Sequence, residues 1–203
     1  MKAGYLFFIS CLFLLFGFTK SSPQQSKDKT TGYYLTYNDY VNNNIAKTDD
    51  IKDLTYVGYK YSVVFLKDGE KVKVKCSDMW GFKYKGRLFR IEPQYIHPVM
   101  VKSQGKIVYY TNGFVEIYKI KENEDTWRDK GYDDYLSNDL NSTIVGLPIM
   151  GSTDKDVKKQ YADFKAANPQ HNALYECIGE IKSLGKVKRC VLEYNGETKT
   201  GQQ

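Results

Sequence analysis

Histidine is nearly absent from this chain. Only His97 and His171 occur in 203 residues, and the shortage removes most metal and nucleophile chemistry. His97 precedes Pro98 in one segment, and His171 lies far away in another. A protein metal site needs carboxylate or thiolate partners at short spacing, and neither histidine has them nearby in sequence. A serine or cysteine hydrolase needs a nucleophile beside a base. Cys177 and His171 supply a thiol and an imidazole, yet neither sits in a nucleophile motif. Cysteine is scarce as well, with four in all and no paired C-x-x-C spacing. No glycine-rich cofactor loop is present, so no metal and no cofactor is expected.

Charge of one sign is also missing. The formal net charge is +6 and falls by two if Lys2 and Lys20 are removed with a leader. Nucleic-acid binders are more strongly basic and cluster that charge, so nucleic acid is not expected as a partner. Long apolar runs are missing apart from residues 5–18, which follow the basic start Met1-Lys2. That run is shorter than the roughly 20 residues a spanning helix needs. It has the basic, apolar and small-residue order of a secretory signal, with Ser21-Ser22-Pro23 beyond Lys20. Lipid attachment at Cys11 is excluded, because cleavage there would leave residues 12–18 exposed at the new terminus.

The sequence therefore divides into a signal peptide over residues 1–22, a flexible lead-in over 23–31 and a single α+β domain over 32–203. Export places the mature chain in the periplasm, on the cell surface or outside the cell. Membrane contact is expected only if the signal stays uncleaved. Three cysteines remain, and an oxidising compartment permits a disulfide. Cys177 and Cys190 flank a turn at Gly185 and are the candidate pair, which leaves Cys76 free or paired with another chain. The alternative is three buried small hydrophobes.

What the chain has in plenty is tyrosine, 18 residues, and strand-like alternation. Thr36 with Asp39 three residues on predicts a helix start, and Tyr37, Tyr40 and Val41 share one face of that helix. Residues 61–67, the turn Asp68-Gly69 and residues 71–76 predict a hairpin. In its second strand Val72, Val74 and Cys76 alternate with Lys71, Lys73 and Lys75. Further strands are expected to either side of Lys85-Gly86, around Gln104-Gly105, and over 114–120 after Asn112-Gly113. The set predicts an antiparallel meander over 32–120, open or curled toward a small barrel.

A polar connector spans 121–151, and a helical part spans 152–195. There, Ser152 or Asp154 caps a helix that Asn168-Pro169 ends. Leu174, Cys177, Ile178, Ile181 and Leu184 predict a second helix ending at Gly185. Residues 187–194 fit a helix or a strand, and helix is chosen.

Trp80, Phe82 and Tyr84 repeat at period two and form a candidate platform for stacking sugar rings. The same spacing is what an inward core strand gives. The Lys71, Lys73 and Lys75 row suits an anionic surface, or an exposed strand that resists edge pairing. Asp133, Asp134, Asp139 and residues 122–125 gather oxygens without the spacing of a calcium loop. Asn141-Ser142-Thr143 is a glycosylation sequon that matters only in a eukaryotic host.

Two segments carry a resemblance. Residues 32–43, GYYLTYNDYVNN, and residues 78–82, DMWGF, with the Lys85-Gly86 turn and Phe89-Arg90 beyond, are similar to small exported proteins of Bacteroidota-type bacteria that have no established function. Residues 192–195, LEYN, resemble the closing helix of such proteins. The resemblance implies an envelope location and brings no activity or site residues.

Together these readings point to a non-enzymatic binding or accessory module that meets an unknown envelope protein or glycan. Two other readings stay open: an interaction subunit using a sheet edge or the free cysteine, and an enzyme of unrecognised type. The intact mass of the chain recovered from an envelope fraction is expected to lack the first 22 residues, to within several positions. Retention of residues 5–18 would instead make the domain a tethered one.

Overall fold

The computed structural model describes residues 29–58, 60–94, 96–122, 133–148 and 154–197. The expected signal peptide and most of the lead-in lie outside these residues. Among the described residues no helix is long and apolar enough to cross a membrane.

The chain is α+β. It begins with β1 (Thr31–Tyr34), a short helix α1 (Tyr37–Val41) and β2 (Ala46–Thr48). Three strands follow, β3 (Asp50–Val57), β4 (Lys60–Lys67) and β5 (Glu70–Lys75). A meander then runs through β6 (Gly81–Tyr84), β7 (Arg87–Glu92), β8 (His97–Gln104) and β9 (Val108–Asn112). After α2 (Gly113–Glu122) come β10 (Asp134–Ser137) and β11 (Val145–Gly146). The helices α3 (Lys155–Ala167), α4 (Asn172–Ile178) and α5 (Leu184–Tyr194) complete the described chain.

All strand pairs are antiparallel, in an eight-stranded sheet of order β11-β10-β9-β8-β7-β6-β1-β2 and a separate sheet β3-β4-β5. The large sheet ends at β11 and β2, so it is open and not the small barrel that was one expectation. The β3–β5 sheet is an excursion between β2 and β6, after which β6 returns to pair with β1.

Local chemistry explains most of this. At α1 the Thr36 hydroxyl accepts from Asp39 N, and the Asp39 carboxylate accepts from Thr36 N, so the expected capping box is complete. Asp68-Gly69 and Lys85-Gly86 both occupy left-handed backbone, as tight hairpin turns require. Adjacent residues Tyr109 and Tyr110 on β9 enter different clusters, because successive strand side chains leave opposite faces.

Three clusters divide the interior. Ile51, Val63, Phe65, Phe82, Tyr84, Phe89 and Met100 fill the space where the small sheet and α2 meet the large sheet. Tyr109, Leu136, Val145 and the apolar faces of α3, α4 and α5 form the second cluster. Val99, Tyr110, Tyr135, Leu140 and Ile144 form the third, beside Tyr37, Tyr40 and Trp80.

The structure corrects several expectations. Residues 114–120 are helix α2 and not a closing strand. The Asn112 side chain accepts from Phe114 N at 3.0 Å, so Asn112-Gly113 starts a helix where a hairpin turn was expected. The expected connector 121–151 contains β10 and β11, which extend the sheet past residue 120. The period from Leu174 to Leu184 is split between two helices: α4 stops at Gly179, and Gly185 lies in the first turn of α5 instead of ending a helix. Residues 187–194 are helical, and Asp154 caps α3 through Asp156 N and Val157 N.

Cys177 and Cys190 form a disulfide that joins α4 to α5. Cys76 is 1% exposed, and burial pushes its thiol up to about 12. It is therefore inaccessible and protonated, which removes the intermolecular disulfide route to a partner. Replacing Cys177 and Cys190 by Ala is expected to lower unfolding stability by about 2–4 kcal/mol. Urea titration with and without reductant checks this: reductant should destabilise the wild type and leave the double variant unchanged.

Candidate ligand-binding site

Two of the three ring residues proposed as a sugar platform are core. Phe82 is 0% exposed and Tyr84 1%, and the Phe82 ring stacks on Phe89 with centroids 4.8 Å apart. Trp80 is half-buried. Its ring stacks on Tyr40 at 4.8 Å, and the Arg90 guanidinium lies 5.4 Å from its centroid. The period-two spacing reflected burial, and no open platform results. Lys71, Lys73 and Lys75 stand exposed on the edge strand β5 while Val72 and Val74 are half-buried, the pattern of a solvated edge.

His171 belongs to the helical core. It is 5% exposed; its Nδ1 lies 2.9 Å from the Tyr194 hydroxyl and its Nε2 3.1 Å from Asn138 Oδ1. It ties the end of β10 to α5. The pairing with Cys177 fails because that sulfur is in the disulfide. Asp139 also serves a structural role, accepting from Asn141 N and Ser142 N.

His97 is different, for it lines a cavity of about 510 Å³. The site is assembled from several segments of the chain. Glu92 ends β7 and faces His97 at the start of β8 across the hairpin. Its carboxylate also accepts from Gln94 N at 2.8 Å, which fixes it at the turn. Asn112, capping α2, sets Phe114 in the wall, where the ring lies 4.7 Å from Tyr61 of β4 and 6.2 Å from His97. Asp134 and Tyr135 come from β10, with Asp133 just before them. Leu147 follows β11, and the first turns of α3 bring Asp154, Val157 and Gln160.

The hydrogen bonding is specific. His97 Nε2 shares a 3.0 Å hydrogen bond with the Tyr135 hydroxyl. Its Nδ1 stands 3.9 Å from Glu92 Oε2. Burial lowers His97 to about 4, so at neutral pH this approach joins a carboxylate to a neutral ring. The Tyr109 hydroxyl donates to Asp134. Burial raises Asp134 to about 6, with Asp133 adding to the rise; the Tyr109 bond and the lysines at 102 and 188 oppose it. Burial also raises Asp133, against a hydrogen bond from Asn112.

Among the described residues no lysine, arginine, serine, threonine or cysteine lines the cavity. Among the described residues no three His, Cys, Asp or Glu side chains stand close enough to hold a metal ion. The carboxylates are spread along the wall. The sequence reading named His97, Asp133 and Asp134 but kept them apart, and it missed Glu92, Tyr135 and Phe114. A carboxylate closing an apolar strand five residues before a histidine was the available signal for Glu92. Nothing local joined either group to β10. The chain matches no known protein family, no curated protein and no solved structure.

The raised Asp134 carboxyl has a consequence for stability. A carboxyl whose folded value exceeds its unfolded one stabilises the fold below the unfolded value and loses that contribution as pH rises through the folded value. The stability of wild type minus that of Asp134→Asn is therefore expected to fall by about 2 kcal/mol between pH 4 and pH 6 and then level off. Denaturant titrations of both proteins across that range check it, and a flat difference would place Asp134 in water.

Proposed function

We propose that this chain is an exported, non-enzymatic binding module of the cell envelope, with the cavity around His97 as its ligand site. The carrying observation is the cavity itself: about 510 Å³, walled by Tyr61, Phe114 and Tyr135 and set with Glu92, Asp133 and Asp134. Small-molecule sites combine this size range with apolar walls and a few fixed polar groups. The leader at residues 1–22 supports export, and an envelope metabolite or glycan fragment is the expected class of partner. The Trp80 strand has no part in this reading.

Two alternatives are weaker. The interaction-subunit reading has lost its free cysteine to the core. The exposed large hydrophobics, Leu35, Val41, Tyr56, Val57 and Ile96, come from separate segments of the described chain, and apolar residues scattered on a surface are ordinary. Proton-transfer catalysis is favoured by one observation, the neutral His97 held between Glu92 and Tyr135 in a cavity.

Having two histidines makes the test simple. His97 lines the cavity and His171 is remote from it, so their imidazole proton signals separate binding at the site from effects elsewhere. Adding the low-molecular-weight fraction of an envelope extract is expected to shift the His97 signals and leave those of His171 in place. Movement at His171 alone, or at neither, removes the cavity as the ligand site. Product signals that grow with time would replace binding by catalysis.

A further inference from the structure

We propose that the face of β6, β7 and β8 carrying Trp80 and Arg90 is a second binding site, one that takes the carboxylate or phosphate group of a small acidic sugar. Among the described residues it shares no lining residue with the His97 cavity, and it does not depend on that cavity.

Arg90 is 5% exposed, and an arginine side chain is always charged. Among the described residues no carboxylate forms an ion pair with it. Its Nη1 donates to the Tyr110 hydroxyl at 3.3 Å and to the Ser142 carbonyl at 3.0 Å, both neutral. The guanidinium charge reaches Asp139, but that carboxylate is exposed and engaged by the amides of Asn141 and Ser142. Arg90 Nε is buried without an acceptor, and so is Nε1 of Trp80, whose ring lies 5.4 Å from the guanidinium. A buried charge without a counter-ion is costly, and two neighbouring donors without acceptors add to that cost. An oxyanion answers both, since a guanidinium fork matches carboxylate and phosphate geometry and an indole N–H can only donate.

A groove of about 510 Å³ adjoins these donors. Leu88 lines it and lies two residues before Arg90 on β7, hence on the same strand face. Val101 of β8 and the Tyr40 ring line it as well. Tyr40 stacks on Trp80 at 4.8 Å, so it stands between the groove and the indole. It belongs to α1, a helix of five residues of which none is buried, and rotation of this one ring opens the way inward. Leu88, Val101 and Tyr40 offer apolar surface to the apolar face of a pyranose. Lys83 and Arg87 also line the groove and favour approach of negative charge. Lys102 adds less, because Glu116 pairs with it at 3.0 Å. A neutral sugar would pack on the same surface and leave the buried guanidinium without a counter-charge.

The test titrates the full mature chain with four probes built on one ring: glucuronate, glucose 6-phosphate, glucose and glucosamine. The readout is the indole N–H proton signal of Trp80, which Trp80→Phe identifies by removing it, together with the methyl signals of Leu88 and Val101. At least one anionic probe is expected to shift the indole signal downfield and saturate it, with an affinity about tenfold or more above glucose and glucosamine. That affinity should weaken as salt rises. Arg90→Met and Trp80→Phe, read at the methyl signals, should each lower it about tenfold. The His97 imidazole signals should stay in place.

A response to glucuronate alone or to glucose 6-phosphate alone upholds the site and names the group it takes. Equal affinity for glucose overturns it, as does failure of both anions to move the indole signal. Methyl shifts without an indole shift also overturn it, for they mean contact with the exposed bases only. Should Arg90→Met fail to fold, Trp80→Phe keeps an aromatic ring beside Tyr40, and the ranking of probes on the wild type still decides. The two sites fail separately, because His97 reports on one and Trp80 on the other.

Discussion

The site depends on one close contact, where β9 ends and α2 begins. The backbone of Gly113 rests on the carbonyl of Pro98 in the neighbouring strand, and a Cβ at that position would collide with the Pro98 oxygen. The helix can therefore start directly on the sheet with no intervening loop. Asn112 supplies its first cap, and Phe114 is carried over the ring of His97. From the same start the helix sends Ile117 into the cluster beneath the small sheet. One glycine thus sets the cavity's aromatic wall and helps close the core behind it. Only a residue without a side chain allows both.

That junction also marks the limit of what the sequence could tell. Period-two alternation identified β5, whose lysines are exposed and whose valines are half-buried, while β4, β6 and β7 were legible from the turns Asp68-Gly69 and Lys85-Gly86 between them, which are short-range chemistry. Asn-Gly has two uses, however. Its hairpin use and its helix-start use differ only in what packs against the glycine, which for Gly113 is Pro98, fifteen positions earlier. Reading residues 114–120 as a strand followed the local cue, and tertiary contact reversed it. The same holds for β10. Asp133-Asp134-Tyr135-Leu136-Ser137 looks polar, yet it enters the sheet because Tyr109 donates to Asp134 and Tyr110 shares a 2.7 Å bond with Ser137. Polar residues with buried partners are invisible to a hydrophobic pattern.

Trp80, Phe82 and Tyr84 teach a related lesson from the opposite side. Their spacing placed Phe82 and Tyr84 on one strand face, but spacing cannot say whether a face meets ligand or protein. Here the excursion β3–β5 covers it, so Phe82 packs between Phe65 and Phe89. The sequence held no sign of which strands would leave the meander to form that cover. Trp80, one residue before β6, escapes to the other cluster with Tyr37 and Tyr40.

Stability gives little reason to keep acids where Glu92 and Asp134 are. Removing a carboxylate from water is costly, and pairing rarely returns more than an apolar residue of similar size would. The helical end of the molecule shows the cheaper solution: its cluster is built from Tyr161, Phe164, Leu174, Ile178 and Val191 and secured by a disulfide. The cavity departs from that economy. Glu92 and Asp134 are buried in a wall that also holds the His97 imidazole and the rings of Tyr61, Phe114 and Tyr135. Buried titratable groups gathered along a cavity concentrate at functional sites, and this wall, not the helical end, has them.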